Sequence, residues 1–148
     1  MGASEIHKYG TDDGWHGKIE EGGEFPPEKD RYHLYIGESI TLALGAMWLP
    51  AHPSTGLFCP FAHRVNLVRH IKGLTDIISL SVVKPYPKDG GGWRFPASND
   101  EYPNATVDHL FNSKFLSEVY FKDDKDYKGK YSVPLLWDKK AGRIVNNV

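Results

Sequence analysis

A single cysteine, Cys59, stands among 148 residues, which rules out a disulfide within the chain and sets aside the small cross-linked secreted scaffolds. An excess of charge is missing as well. Eighteen Lys and Arg face nineteen Asp and Glu, a net charge of -1, so the chain carries no electrostatic footprint for nucleic acid or an anionic membrane surface. Long apolar runs are also scarce: ITLALGAMWLP, residues 40–50, is about half of the roughly 20 residues that cross a bilayer. The opening MGASEIHKYG lacks the basic stretch and apolar core of a secretory signal, and it has no Ser or Thr where a myristoylation signal requires one. A reducing, cytoplasmic setting is expected. With 40% apolar and 25% charged residues, and no internal repeat, the composition fits one globular domain.

What is present begins late. Residues 1–30 are rich in Gly, Asp, Glu and Pro with scattered apolar residues, and they read as an extended or disordered lead-in to a domain spanning 31–148. Tyr32, Leu34 and Ile36 alternate with His33 and Tyr35, the period of a strand. From Pro60 the period lengthens. Phe61, Val65 and Val68, with Ala62 and Ile71 beside them, predict the apolar stripe of an amphipathic helix, with Arg64, Asn66 and Arg69 pointing elsewhere and Gly73 as its stop. IISLSVV, residues 77–83, predicts a buried strand ended by Pro85 and Pro87. A right-handed parallel crossover joins such a βαβ unit.

The stretch KDGGGWRFPASNDEYP is a long loop of the kind that carries function. A second helix is predicted around Phe111, Phe115, Leu116, Val119 and Tyr120, then a charged connection from Asp123 to Lys130. YSVPLLWD and GRIV predict two strands around a turn in which Gly142 takes a positive φ. The fold class is therefore α/β, built as βαβ followed by αββ on a mixed sheet.

Chemistry centres on Cys59. Pro60 suits the first position of a helix, because its missing N–H has no partner there. That makes Cys59 the N-cap, facing the positive end of the helix dipole, where a thiolate nucleophile is favoured. His63 and Arg64 add positive charge if they turn toward the sulfur. The position three residues on, which holds a second thiol in redox pairs, is Ala62, so a mixed disulfide at Cys59 needs an external thiol to resolve it. The competing reading is that Cys59 is a small buried hydrophobe. Val133–Pro134, opening a strand, marks a cis bond or a free sheet edge beside the thiol, where Val133 can offer its backbone to an extended peptide. A Cys–His hydrolase using His63 or His70 lacks an orienting group. No metal site is expected: Cys59 and His63 find no recognisable ligand pair among His7, His16, His33, His52 and His109. Of the tryptophans, Trp137 reads as core, Trp15 falls in the lead-in and Trp48 in the stretch after YHLYIG, which leaves Trp93 as the one with motif context.

RYHLYIG, LFCPFAHRVNLVRHIKGL, SLSVV, GGWRF, DYKGKYSVPLLWDKK and GRIVNN, in that order, closely resemble the N-terminal thioredoxin-like domain of the glutathionyl-hydroquinone reductases, the omega-like or Xi-class glutathione transferases. Residues 38–56 read as an insertion into that pattern. Their ends can be encoded by splice-donor and acceptor sequences, so the segment reads as a retained intron. The resemblance implies an incomplete domain, with the final helix and the C-terminal helical domain missing, and poor solubility from the apolar surface they normally cover. It implies glutathione as co-substrate, no metal, a small quinone-type or otherwise glutathionylated substrate and, for full-length members, a homodimer. Cys59 would attack the sulfur of a glutathionyl-hydroquinone, expel the hydroquinone and form a mixed disulfide that a second glutathione reduces. Trp93 would pack on glutathione, and Val133, before a cis Pro134, would pair with the backbone of its cysteinyl residue. The alternative is a thioredoxin-like glutathione-binding module without catalysis, or an inactive product.

Overall fold

The computed structural model describes residues 14–37, 59–84, 92–102 and 104–147; the segment 38–56, with Trp48, and the prolines Pro85 and Pro87 lie outside the described residues. Six elements follow in chain order: β1 (Tyr32–Gly37), α1 (Pro60–Ile71), β2 (Ser79–Val83), α2 (Leu116–Asp123), β3 (Leu135–Asp138) and β4 (Arg143–Asn146). They build a sheet in the order β2-β1-β3-β4. The β1–β2 pair is parallel and the other two pairs are antiparallel. The expected mixed βαβ-αββ architecture is thus the observed one, and it is thioredoxin-like. Gly73 and Gly142 take the positive φ values of 63° and 67° that end α1 and turn the β3–β4 hairpin.

All six residues of β1 are buried, because the sheet is covered on both faces. On one face Tyr35 packs with Val83, Leu116, Val119, Tyr120, Leu135 and Trp137 in the larger core, which α2 closes. On the other, Leu34 and Ile36 meet Ala62 of α1. The alternation of β1 therefore sorts residues between two cores, one under each helix, and not between core and solvent. Each such buried large side chain contributes roughly 1.5–3 kcal/mol.

His33 is the polar member of this strand, and β2 is written to receive it. Its Nδ1 lies 2.6 Å from Ser79 Oγ and its Nε2 2.9 Å from Ser81 Oγ, the two serines that punctuate SLSVV at the register positions opposite β1. Burial holds the imidazole neutral and lowers its pKa to about 4. An unfolded chain protonates near the ordinary 6.5, so below that pH the unfolded state binds a proton that the folded state refuses. Stability from His33 is complete above pH 6.5 and is lost as pH falls toward 4. Thermal or urea unfolding between pH 7 and pH 4 is expected to show a His33-dependent loss of roughly 3 kcal/mol, which His33→Gln removes; the same pH slope in the variant would contradict this assignment.

Three expectations change on seeing the fold. Helix α1 forms as predicted but presents a different face: Phe61 and Val68 are each 52% exposed and Ile71 72%, whereas Ala62 is at 0% and Asn66 at 7%. Small Ala62 lets the helix lie close on β1. Arg69 then fixes the far end, donating from Nε to the Ile78 carbonyl and from Nη2 to the Thr75 carbonyl, both at 2.8 Å. The second helix starts later than expected, so Phe111 precedes it and sets its ring edge-on to Trp137 at 5.2 Å. Glu118 holds the helix start by accepting the Phe115 N–H at 3.0 Å.

Packing also begins well before Arg31. Gly17 N–H donates to the Val145 carbonyl at 2.7 Å and Trp15 N–H to Asn147 Oδ1 at 2.8 Å, so this segment covers the outer edge of β4, which would otherwise stand open. Trp15 packs on Tyr120 and Tyr127, with ring centroids 5.7 and 5.0 Å away. Phe25 is buried with Tyr32 and Val145. Two aromatics ten residues apart carry no period, yet they pack the lead-in against the domain.

Candidate active site

The site grows from the start of α1. Cys59 has extended backbone angles, φ -149° and ψ 97°, directly before Pro60, and its sulfur accepts the Ala62 N–H at 3.4 Å. No acidic residue occupies the first turn. The sulfur thus sits where the helix presents its unsatisfied N–H groups. On its other side the thiol donates to the Val133 carbonyl at 3.3 Å.

Antiparallel pairing explains why Val133 is there. Tyr35 lies opposite Leu135, so two residues further along β1 the chain end at Gly37 comes level with Val133. A Cβ at Gly37 would stand 3.3 Å from Val133 Cγ2 and 3.6 and 3.7 Å from Trp93 Cζ3 and Cη2. A side chain at Gly37 would touch the indole at ordinary contact distance and press on the valine by a few tenths of an ångström, so glycine gives both the closest seat at the strand end. The Val133–Pro134 bond is cis, as the resemblance implies.

The structure therefore brings Cys59, Val133 and Pro134 together, with Trp93 against the Val133 side. Cys59 and Trp93 are half-buried on the larger core, and Cys59 also touches the smaller one, so the thiol sits at the junction of both. Arg64 does not turn to the sulfur. Its guanidinium stacks over the Phe61 ring at 4.9 Å, and both line an apolar groove of about 440 Å³ shared with Val65, Pro134, Leu136 and Val145. Sequence reasoning missed Gly37 as a site residue. Its position at the end of YHLYIG was visible, but the residues that crowd it, Trp93 and Val133, come 56 and 96 positions later in the chain.

Residues 58–147 match the family model described as "Glutathione S-transferase, N-terminal domain". The chain is 40% identical over 145 residues to the glutathionyl-hydroquinone reductase YqjG of Escherichia coli, covering 98% of this chain and 37% of that protein. Among solved structures, the Xi glutathione-S-transferase of Phanerochaete chrysosporium superposes with a TM-score of 0.71 at 39% identity, over 90% of this chain and 38% of that one. Glutathione-bound YqjG gives 0.66 at 37% identity, over 90% and 38%. The chain thus spans somewhat under two fifths of these relatives. Among the described residues no helix is long and apolar enough to cross a membrane. By its motifs, its thioredoxin-like sheet and these matches, the chain belongs to the glutathione S-transferase N-terminal domain family, with Xi-class transferases and glutathionyl-hydroquinone reductases among its relatives.

Proposed function

We propose that this domain binds glutathione and that Cys59 exchanges it through a mixed disulfide. The observation that carries the reading is the placement of one sulfur, capping α1 through the Ala62 N–H and lying 3.3 Å from the carbonyl that precedes a cis proline. A thiolate there attacks a glutathione-bearing sulfur. With a glutathionyl-hydroquinone, the Cys59–S bond forms as the ring carbon–sulfur bond breaks, and the electron pair and a proton go to the ring carbon, releasing the hydroquinone. A second glutathione thiolate then attacks the mixed disulfide, freeing Cys59 and leaving oxidised glutathione. Ala62 stands where a resolving cysteine would be, so the second thiol comes from solution.

In this reading Trp93 packs on glutathione, and the Val133 backbone pairs with its cysteinyl residue as an added strand would. Glutathione is the co-substrate, and glutathionylated hydroquinones are the substrate class, following the name of the bacterial relative. Glutathione-bound YqjG, with the same fold at 37% identity, supports the ligand.

Oxidised glutathione near neutral pH is expected to place one adduct on Cys59, seen by intact-mass spectrometry, which free glutathione removes. Modification no faster than that of a cysteine in an unstructured peptide would end the proposal. Trp93→Ala is expected to raise the half-saturating concentration of oxidised glutathione about tenfold, a loss of about 1.4 kcal/mol of binding, with the maximal rate little changed.

A further inference from the structure

Residues 93–95 run as a short extended segment between two neighbours, bridging Lys84 after β2 on one side and Phe115 before α2 on the other through Arg94. The Lys84 N–H donates to the Arg94 carbonyl at 3.0 Å, Phe95 N–H to the Lys114 carbonyl at 3.0 Å, and Leu116 N–H to the Trp93 carbonyl at 2.9 Å. These bonds fix the backbone under Trp93. They also put two cations side by side, since Lys84 is only 8% exposed and Arg94 is half-buried.

One carboxylate reconciles them. Glu101 Oε1 accepts from Lys84 Nζ at 2.8 Å and from Arg94 Nη2, while Oε2 accepts the Ala97 N–H at 2.5 Å. Its own N–H donates to the Ser98 carbonyl at 3.2 Å, so the loop after Trp93 closes on the residue that clamps it. The Lys84 ammonium first, then the Ala97 N–H, hold the Glu101 carboxyl down at about 2. Without the carboxylate, the largely buried Lys84 loses its counter-charge and repels Arg94. Arg94 adjoins Trp93, and its carbonyl takes one of the three backbone bonds that hold the segment.

We infer that Glu101 is a positioning residue for the glutathione site: by neutralising Lys84 and Arg94 together it sets the placement of the Trp93 indole against Gly37 and Val133. This rests on the proposed glutathione reading for its functional consequence and on geometry alone for the placement. Nothing in the motif GGWRF points to a residue six positions beyond its end.

The test uses Glu101→Gln with two readouts and two controls. Acrylamide quenching of Trp93, taken as the difference between each protein and its Trp93→Phe counterpart, is expected to rise about twofold. The half-saturating concentration of oxidised glutathione at Cys59 is expected to rise five- to tenfold, with the maximal rate and iodoacetamide labelling of Cys59 unchanged. A general loss of structure would move all four together. Should Glu101→Gln not fold, Glu101→Asp, which keeps the charge and withdraws the carboxylate by one methylene, is expected to shift both of the first two readouts about twofold. Quenching and half-saturation both unchanged in a folded variant would overturn the inference. If the wild-type chain shows no saturation, the glutathione reading fails by itself and quenching alone decides the role of Glu101.

Discussion

Replacing Cys59 by serine is expected to abolish the glutathione adduct, lowering the rate of modification by at least about a thousandfold, because a hydroxyl has no thiolate to offer at neutral pH. The fold should survive. Serine is a stronger N-cap than cysteine, and its oxygen can accept the Ala62 N–H that the sulfur now takes at 3.4 Å. Against that gain stands the loss of a soft apolar atom where Cys59 meets both cores. These opposing effects leave a net change within about 1 kcal/mol. Intact-mass spectrometry after exposure to oxidised glutathione, with a urea melt on the same sample, separates chemistry from stability. A Cys59→Ser chain that lost more than about 2 kcal/mol of stability would show that the sulfur is held for the fold and not for chemistry.

Asp108→Ala is expected to be the most damaging change to the fold. The carboxylate organises the turn before α2, accepting N–H groups from Leu110 at 3.0 Å, Phe111 at 3.3 Å and Ser113 at 3.0 Å. It also accepts the Tyr35 hydroxyl at 3.0 Å. Burial opposes its charge, yet the Leu110 and Ser113 N–H groups outweigh burial and keep the carboxyl below its ordinary range. Burial, aided by Asp108, pushes the Tyr35 phenol upward, so that it stays a donor. Alanine would leave the hydroxyl of a side chain at 0% exposure without this acceptor, at about 1–3 kcal/mol, besides the loss of the turn. A total near 4 kcal/mol is expected from denaturant unfolding, with Asp108→Asn recovering about half by keeping an acceptor oxygen. A loss under about 1 kcal/mol would show that the turn holds itself.

The parts of this molecule legible in the sequence are those written in adjacent residues. Pro60 after Cys59 predicts the helix start, and the cap follows in the structure. Pro134 leaves a cis bond or a free sheet edge open, and the Val133–Pro134 bond is cis in the structure. YHLYIG by its alternation and SLSVV by its apolar run predict strands, and the helix between them makes the pair parallel. What could not be read depends on partners far along the chain. The apolar stripe of α1 gave the correct element and the wrong face, because periodicity records which residues share a side and not which side meets the sheet. Asn66 and Arg69 looked like surface residues until the sheet and the turn before β2 were in place. Trp15 and Phe25 looked incidental because their partners, Tyr120, Tyr127 and Val145, arrive more than a hundred residues later. Gly37 belongs to the same class, since Trp93 and Val133 reach it across the fold and no local pattern announces it.

The most direct test compares two disulfides of similar reactivity at Cys59, oxidised glutathione and cystamine, which lacks the peptide. The account predicts that the rate with oxidised glutathione saturates with concentration and exceeds that with cystamine by at least about tenfold at low concentration, because Val133 and Trp93 hold the tripeptide while the sulfur attacks. Equal rates for the two disulfides, both rising linearly with concentration, would mean that the thiol reacts as any exposed cysteine does and that no glutathione site surrounds it.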